Sequence, residues 1–195
     1  MRQREDVADG GPARLRLNIG VTAHRDLVDR EVPRMRAEVR GFLQHLQAGF
    51  PDLPLQLICA LASGGDQLVA EEALALGIEL IVPLPMAQAD YEDDFEDAAA
   101  LAQFRALLAR AHVRTLPMAP GNTLESVRVR GPARNRQYAQ LGMFISSHCQ
   151  VLLALWDGNS SLATGGTAQV VEFHLHNTMP GFRIDEAAPN LLADD

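Results

Sequence analysis

The sequence predicts an α/β fold, a Rossmann-like parallel sheet of about five or more strands with helices on both faces. Three observations carry that prediction. Nearly continuous apolar runs of strand length stand at 55–61, 78–84 and 151–156, the last reading "VLLALW", and such runs mark strands buried on both faces. Helical spacing fills the gaps, as in Met35, Val39, Phe42, Leu43 and Leu46, which form one apolar stripe. Strand and helix therefore alternate, and because crossovers are right-handed, the alternation folds into a parallel sheet sandwiched by helices.

Taken in order, "LRLNIGV" (15–21) places Leu15, Leu17, Ile19 and Val21 at period two and is the first strand. The stripe from Met35 to Leu46 is the first helix. The run 55–61 is the second strand, and a helix at about 65–76 leads to the third, 78–84. Leu101, Phe104, Leu107 and Leu108 repeat the helical device. "VRTL" (113–116) reads as a short strand, 133–148 as a helix, 151–156 as the last strand and 167–176 as the last helix. Residues 1–12 and 184–195 read as flexible tails around one domain at 13–183, the second tail being a candidate boundary before further regions.

Composition narrows the chemistry. All 17 basic residues are arginine, so a Walker A lysine, a Schiff-base lysine and a catalytic lysine are all excluded. Any bound phosphate is held by guanidinium and backbone N–H groups. A net charge of −8 and 5% aromatic residues disfavour nucleic acid, whose binding needs phosphate neutralisation and stacking rings. No signal-like or membrane-spanning apolar stretch stands in the sequence, so no membrane contact is expected and the expected compartment is the cytoplasm. Cys59 and Cys149, inside apolar runs, read as buried thiols rather than a disulfide.

In a parallel sheet, ligands collect at the carboxyl ends of the strands, where strand order reverses. Three segments follow strands. "GVTAHRD" (20–26) offers Gly20, Thr22, His24 and Arg25 but no G-x-G-x-x-G, which disfavours a dinucleotide-dependent dehydrogenase. "ASGGDQ" (62–67) offers Ser63 as a helix cap, then Gly64, Gly65 and Asp66, with the glycine pair bringing the chain close to whatever sits at the helix dipole. "WDGNSSLATGGTAQ" (156–169) offers Trp156 and Asp157 at a strand end, then Gly165, Gly166 and Thr167 at a second helix start. Two glycine pairs at two helix N-termini form a double phosphate cradle in this reading.

Two of these stretches resemble a known superfamily. "ASGGDQLVAEEALALGIELIVPLP" and "LLALWDGNSSLATGGTAQVVEF" resemble the two glycine motifs of the SLOG superfamily, which joins DprA/Smf DNA-processing proteins, LOG (lysine decarboxylase-like) phosphoribohydrolases and nucleotide-sensing domains. "IGVTAHRDL" and "GPARNRQYAQLG" resemble its bacterial sensor-type branch. The resemblance implies a Rossmann-like domain that binds a nucleotide. LOG enzymes share a P-G-G-x-G-T-x-x-E stretch whose Glu works with an upstream Arg. Here Thr164 replaces the proline and Val170 stands where that Glu belongs, with Glu172 two residues late and so rotated by roughly 200° on a helix. Phosphate binding carries over in this comparison, and hydrolysis does not.

Two charge clusters remain. "VRVRGPARNR" gathers Arg128, Arg130, Arg134 and Arg136, for which ligand contact and solvated surface are equally good readings. "DYEDDFED" (90–97) holds six acids in eight positions and suits a helix N-terminus, or an Arg-rich surface of another copy of the chain. His174 and His176 have no ligand partner at metal spacing, so no metal is expected.

The sequence thus predicts a domain that binds or senses a nucleotide-derived small molecule without turnover and without a required cofactor. Arg25, Arg134 and Arg136 supply charged contacts and Trp156 a face for the base. The domain is expected to assemble as a homo-oligomer. One alternative is a LOG-type hydrolase of a nucleotide N-glycosidic bond with Arg136 and Glu172 as its pair. The other is a ligand-free assembly module.

Overall fold

A computed structural model of the protein describes residues 15–159 and 164–176. The two expected tails and the outer limits of the 13–183 domain lie outside these residues. Among these residues five strands form one parallel sheet: β1 (Leu17–Ala23), β2 (Leu55–Ile58), β3 (Glu79–Leu84), β4 (His112–Thr115) and β5 (Val151–Leu155). Their order is β4-β3-β2-β1-β5. The chain therefore moves outward from β1 to β4 and then returns to β1's other side with β5. That reversal places the switch point between the carboxyl ends of β1 and β5.

Among the described residues seven α-helices accompany the strands: α1 (Val32–Gly49), α2 (Gly65–Ala75), α3 (Gln88–Glu92), α4 (Ala98–Leu108), α5 (Leu124–Arg128), α6 (Pro132–Ser147) and α7 (Thr167–His176). Alternate residues of each strand face opposite sides. Ile19, Val21, Leu57, Leu80 and Val82 pack with Val39 and Leu43 of α1, Leu68 and Val69 of α2 and Phe104 of α4. On the other side Ile58 and Ala60 meet Leu141, Phe144 and Ile145 of α6. Full burial of each such side chain contributes about 2 kcal/mol. β4, the edge strand, is exposed along its whole length.

The helix ends follow from local chemistry. Asp97 accepts the N–H groups of Ala99 and Ala100 and so starts α4. Gly77, at φ 73°, ends α2, with Gly77 N–H donating to Leu74 O and Ile78 N–H to Ala73 O, as a Schellman turn requires. α1 and α2 are tied by Glu72, whose buried carboxylate accepts from Arg36 at 3.0 Å and Arg40 at 2.7 Å.

The second strand stops at Ile58, earlier than the apolar run suggests. Residues 59–61 stay buried, but Leu61 takes a left-handed φ of 60° and turns the chain toward α2. Asp66 and Gln67 hold this turn from inside, the first accepting Ala62 N–H at 3.2 Å and the second donating to Leu61 O at 3.3 Å. Both cysteines are free, Cys59 fully buried and Cys149 half-buried. Among the described residues no helix is long and apolar enough to cross a membrane, and no three ligating side chains gather as a metal site.

Candidate functional site

A cleft of about 320 Å³ opens at the switch point. Its floor is the end of β1, Val21 to Ala23, continued by His24 and Arg25. Ala62 and Asp66 come from the start of α2, Tyr138, Leu141 and Ile145 from α6, and Gly165, Gly166 and Thr167 from the start of α7. Tyr91 of α3 closes the inner wall. A second, wider cleft of about 680 Å³ adjoins it across Arg25 and Tyr138, and Ser63, Gly64 and Asp26 line that one.

The glycines explain how these elements come together. At Gly64, φ is +81° and a Cβ would stand 1.9 Å from the carbonyl oxygen of Arg25. At Gly65 it would stand 2.4 Å from the Cβ of Ala23, and Gly65 N–H donates to His24 O at 3.0 Å. What approaches this backbone is the end of β1 itself. The pair serves packing first, where the sequence pointed to phosphate, and the glycine Gly64 stands at the N-cap, so Ser63 does not cap the helix. Gly165 repeats the pattern at φ +82°, its missing Cβ making room for Tyr138 Cβ at 2.6 Å. Gly20 faces α6 rather than the cleft, since a Cβ there would meet Cys149 Sγ at 2.7 Å.

Polar groups on the cleft, and Asp157 beside it, have defined states. Thr22 is buried on the floor. His24 Nε2 lies 3.2 Å from Asp157 Oδ1. Asp157 also accepts the Asn159 backbone N–H at 3.0 Å and its side-chain amide at 2.8 Å, and these bonds, with the His24 contact, pull its carboxyl down to about 2. Asp66 is 5% exposed, and burial pushes its carboxyl up to about 7 despite the Ala62 N–H bond and the Arg25 charge. Behind it, burial also raises the Cys59 thiol and the Tyr91 phenol well above their usual ranges. Tyr91 donates to Ala60 O at 3.2 Å and Tyr138 to Asp94 Oδ2, so both present rings rather than free hydroxyls to the cleft.

Several expected contacts lie elsewhere. Arg134 is 3% exposed and fully engaged inside the protein, donating to Val127 O and Asp90 O at 2.6 Å each and pairing with Asp94 at 2.8 Å. Arg136 points to Asn122 Oδ1 at 2.9 Å, outside the cleft wall. Arg128 pairs with Asp90 at 3.0 Å and Arg130 with Glu96 at 3.2 Å. Three of the four clustered arginines thus take their counter-charge from the acid cluster. Trp156 ends near the rim but is not among the cleft-lining residues, and its indole N–H donates to Asn159 O at 2.9 Å. Glu172 lies on the exposed side of α7 with His176 Nε2 at 3.7 Å.

Sequence reasoning missed Tyr91 and Tyr138. Tyr91 sits inside the acid cluster "DYEDDFED" and Tyr138 two residues past the arginine cluster "VRVRGPARNR", and neither position carries a signal beyond the charge of its neighbours.

No protein-family profile matches the chain, and no curated protein matches it. Among solved structures it is similar to the X-ray structure of DNA processing protein A (DprA) from Streptococcus pneumoniae, with a TM-score of 0.52 and 15% sequence identity. The fold is DprA-like. That similarity covers 88% of this chain and 52% of DprA, so the chain spans about half of DprA's length. At this identity it is the Rossmann-like architecture that is shared, as the SLOG resemblance implies.

Proposed function

We propose that the domain binds a nucleotide-derived small molecule at the switch-point cleft and acts as a sensor of it, without turnover. The observation that supports this most is the pairing of Arg25 with the Gly166–Thr167 helix start across one cleft that also offers the Tyr138, Leu141 and Ile145 wall. A guanidinium and a helix N-terminus together suit a phosphate, and an apolar wall with an aromatic ring suits a base. A volume of about 320 Å³ is within the range of small-molecule sites. The DNA that DprA's name refers to is a poorer fit for a chain of net charge −8. Glycosidic hydrolysis loses its support because Arg136 and Glu172 each have partners away from the cleft.

Mass spectrometry of small molecules released on denaturing the purified protein tests the reading. A nucleotide released in stoichiometric amount, rebinding by calorimetry and recovered unchanged, is the expected result. Release of free base from it points to the hydrolase instead. No nucleotide by either measurement leaves the assembly module.

A further inference from the structure

Asp66 is a side chain that the binding geometry above does not use. It stands at the first turn of α2 on the cleft wall, 5% exposed, and among the described residues its carboxyl forms no ion pair within 4 Å. Its oxygens accept one backbone N–H, from Ala62 at 3.2 Å, and a hydrogen bond from the Cys59 thiol. An acid with so little support faces the space into which an anionic ligand must come. Arg25 is the guanidinium on that cleft, and a single positive charge does not neutralise both a buried carboxylate and a phosphate.

We propose that Asp66 is a proton gate: the cleft admits an anionic nucleotide together with a proton on the Asp66 carboxyl, so that ligand binding and proton uptake are one event. This rests on the nucleotide-binding reading. Arg25 offsets part of the Asp66 charge. When the ligand's phosphate takes Arg25, the carboxylate is left facing a second anion, and protonation removes the conflict. The proton comes from solvent and returns to it when the ligand leaves.

The other groups around Asp66 sharpen the assignment. From β1's end come Arg25 and His24, from the residue after β2 the Cys59 thiol, from α3 Tyr91 and from α6 Tyr138. Burial holds Cys59 and Tyr91 protonated through the neutral range, and arginine does not titrate there. Asp66 is pushed up to about 7, so its charge changes where cellular pH lies. His24 lines the same cleft, which makes His24→Gln a necessary comparison.

Calorimetry tests the gate with cyclic mononucleotides and NAD as probes, because their phosphates are diesters and do not titrate near neutrality. For the wild-type protein the expected result is uptake of a fraction of a proton approaching one per site, read from buffers of different ionisation enthalpy. Affinity is expected to fall about tenfold or more between about pH 6 and about pH 9. Asp66→Asn, an isosteric neutral side chain, is expected to remove both the uptake and the pH dependence and to bind about tenfold tighter than wild type at the alkaline end. His24→Gln is expected to keep the pH dependence. Affinity that is flat with pH, or that rises with it while protons are released, overturns the gate and leaves nucleotide binding standing, the second result meaning that ionised Asp66 accepts donors from the ligand. Absence of binding by any probe to wild type and to Asp66→Asn at every pH overturns the nucleotide reading itself, and the gate falls with it.

Discussion

At the scale of single residues, the glycine pair that opens α2 is explained by overlap within the chain. Gly64→Ala puts a methyl group 1.9 Å from a backbone oxygen at a φ that L-residues rarely adopt, and that oxygen belongs to the strand end that forms the cleft floor. We expect a loss of about 3 kcal/mol or more in urea unfolding. A loss below about 1 kcal/mol shows that the β1 end can move aside. Asp66 makes a second residue-scale prediction, about stability alone. Its folded-state value, about 7, lies above the ordinary carboxylic value, so its contribution to stability is complete in acid and is lost as pH rises toward 7. Asp66→Asn removes that loss. Its stability relative to wild type should therefore improve as pH rises from about 4 to about 7, by up to roughly 4 kcal/mol at about 1.4 kcal/mol per unit. Paired denaturation curves across that window read the difference, and a constant gap between the two proteins contradicts the burial of this carboxyl. Trp156 makes the third. With the indole off the cleft wall, its emission should stay flat while a nucleotide binds, and strong saturable quenching places it back in the site.

Elements show what a sequence reading can and does not reach. Four of the strands and the five longer helices follow from period and run length, because each buries a face repeatedly, while β4, exposed along its length, follows only from the short run "VRTL". α3 and α5, five residues each, repeat nothing and were invisible to periodicity. The site divides in the same way. Thr22, His24, Arg25, Asp66 and Gly165 to Thr167 line the cleft, as their place after strands suggested, since topology alone carries those residues to the sheet's carboxyl edge. Arg134 looked like a ligand contact because its acid partner Asp94 and the Asp90 carbonyl it also binds lie about forty residues earlier, and pairing at that range leaves no local signal. The clasp between α3 and α6 is also where the element-scale prediction belongs. Arg134→Ala leaves the Asp94 carboxylate buried without its cation and should cost about 3–5 kcal/mol. Arg130→Ala breaks a pair that is 68% and 81% exposed and should change stability by well under 1 kcal/mol. Chemical denaturation of the two variants separates them, and equal effects mean that the clasp is a surface feature throughout.

On the scale of the whole molecule, the cleft draws its walls from β1, α2, α3, α6 and α7, and so joins both helical layers at the one place where the sheet reverses. A ligand held there touches parts that separate on unfolding. It should therefore stabilise the entire domain, by about 2.7 kcal/mol when present at a hundredfold excess over Kd, which for a domain of this size is a rise in Tm of roughly 5–10 °C. Arg25→Ala is the variant that tests the geometry. Arg25 is exposed, and among the described residues its one hydrogen bond, to Asp94 O, is 3.5 Å long. Removing it should leave the melting temperature of the ligand-free protein within about 2 °C of wild type. The ligand-induced rise should largely disappear, since a charge-assisted contact to phosphate is worth about 1.5–3 kcal/mol, or roughly ten- to a hundredfold in affinity. Hydrogen exchange supplies the location: added protection is expected at 22–25, 62–67 and 165–170 and not along the exposed edge strand β4. If Arg25→Ala keeps the full rise in Tm, the phosphate is not held at the end of β1, and if protection gathers at β4 instead, the ligand occupies the far edge of the sheet.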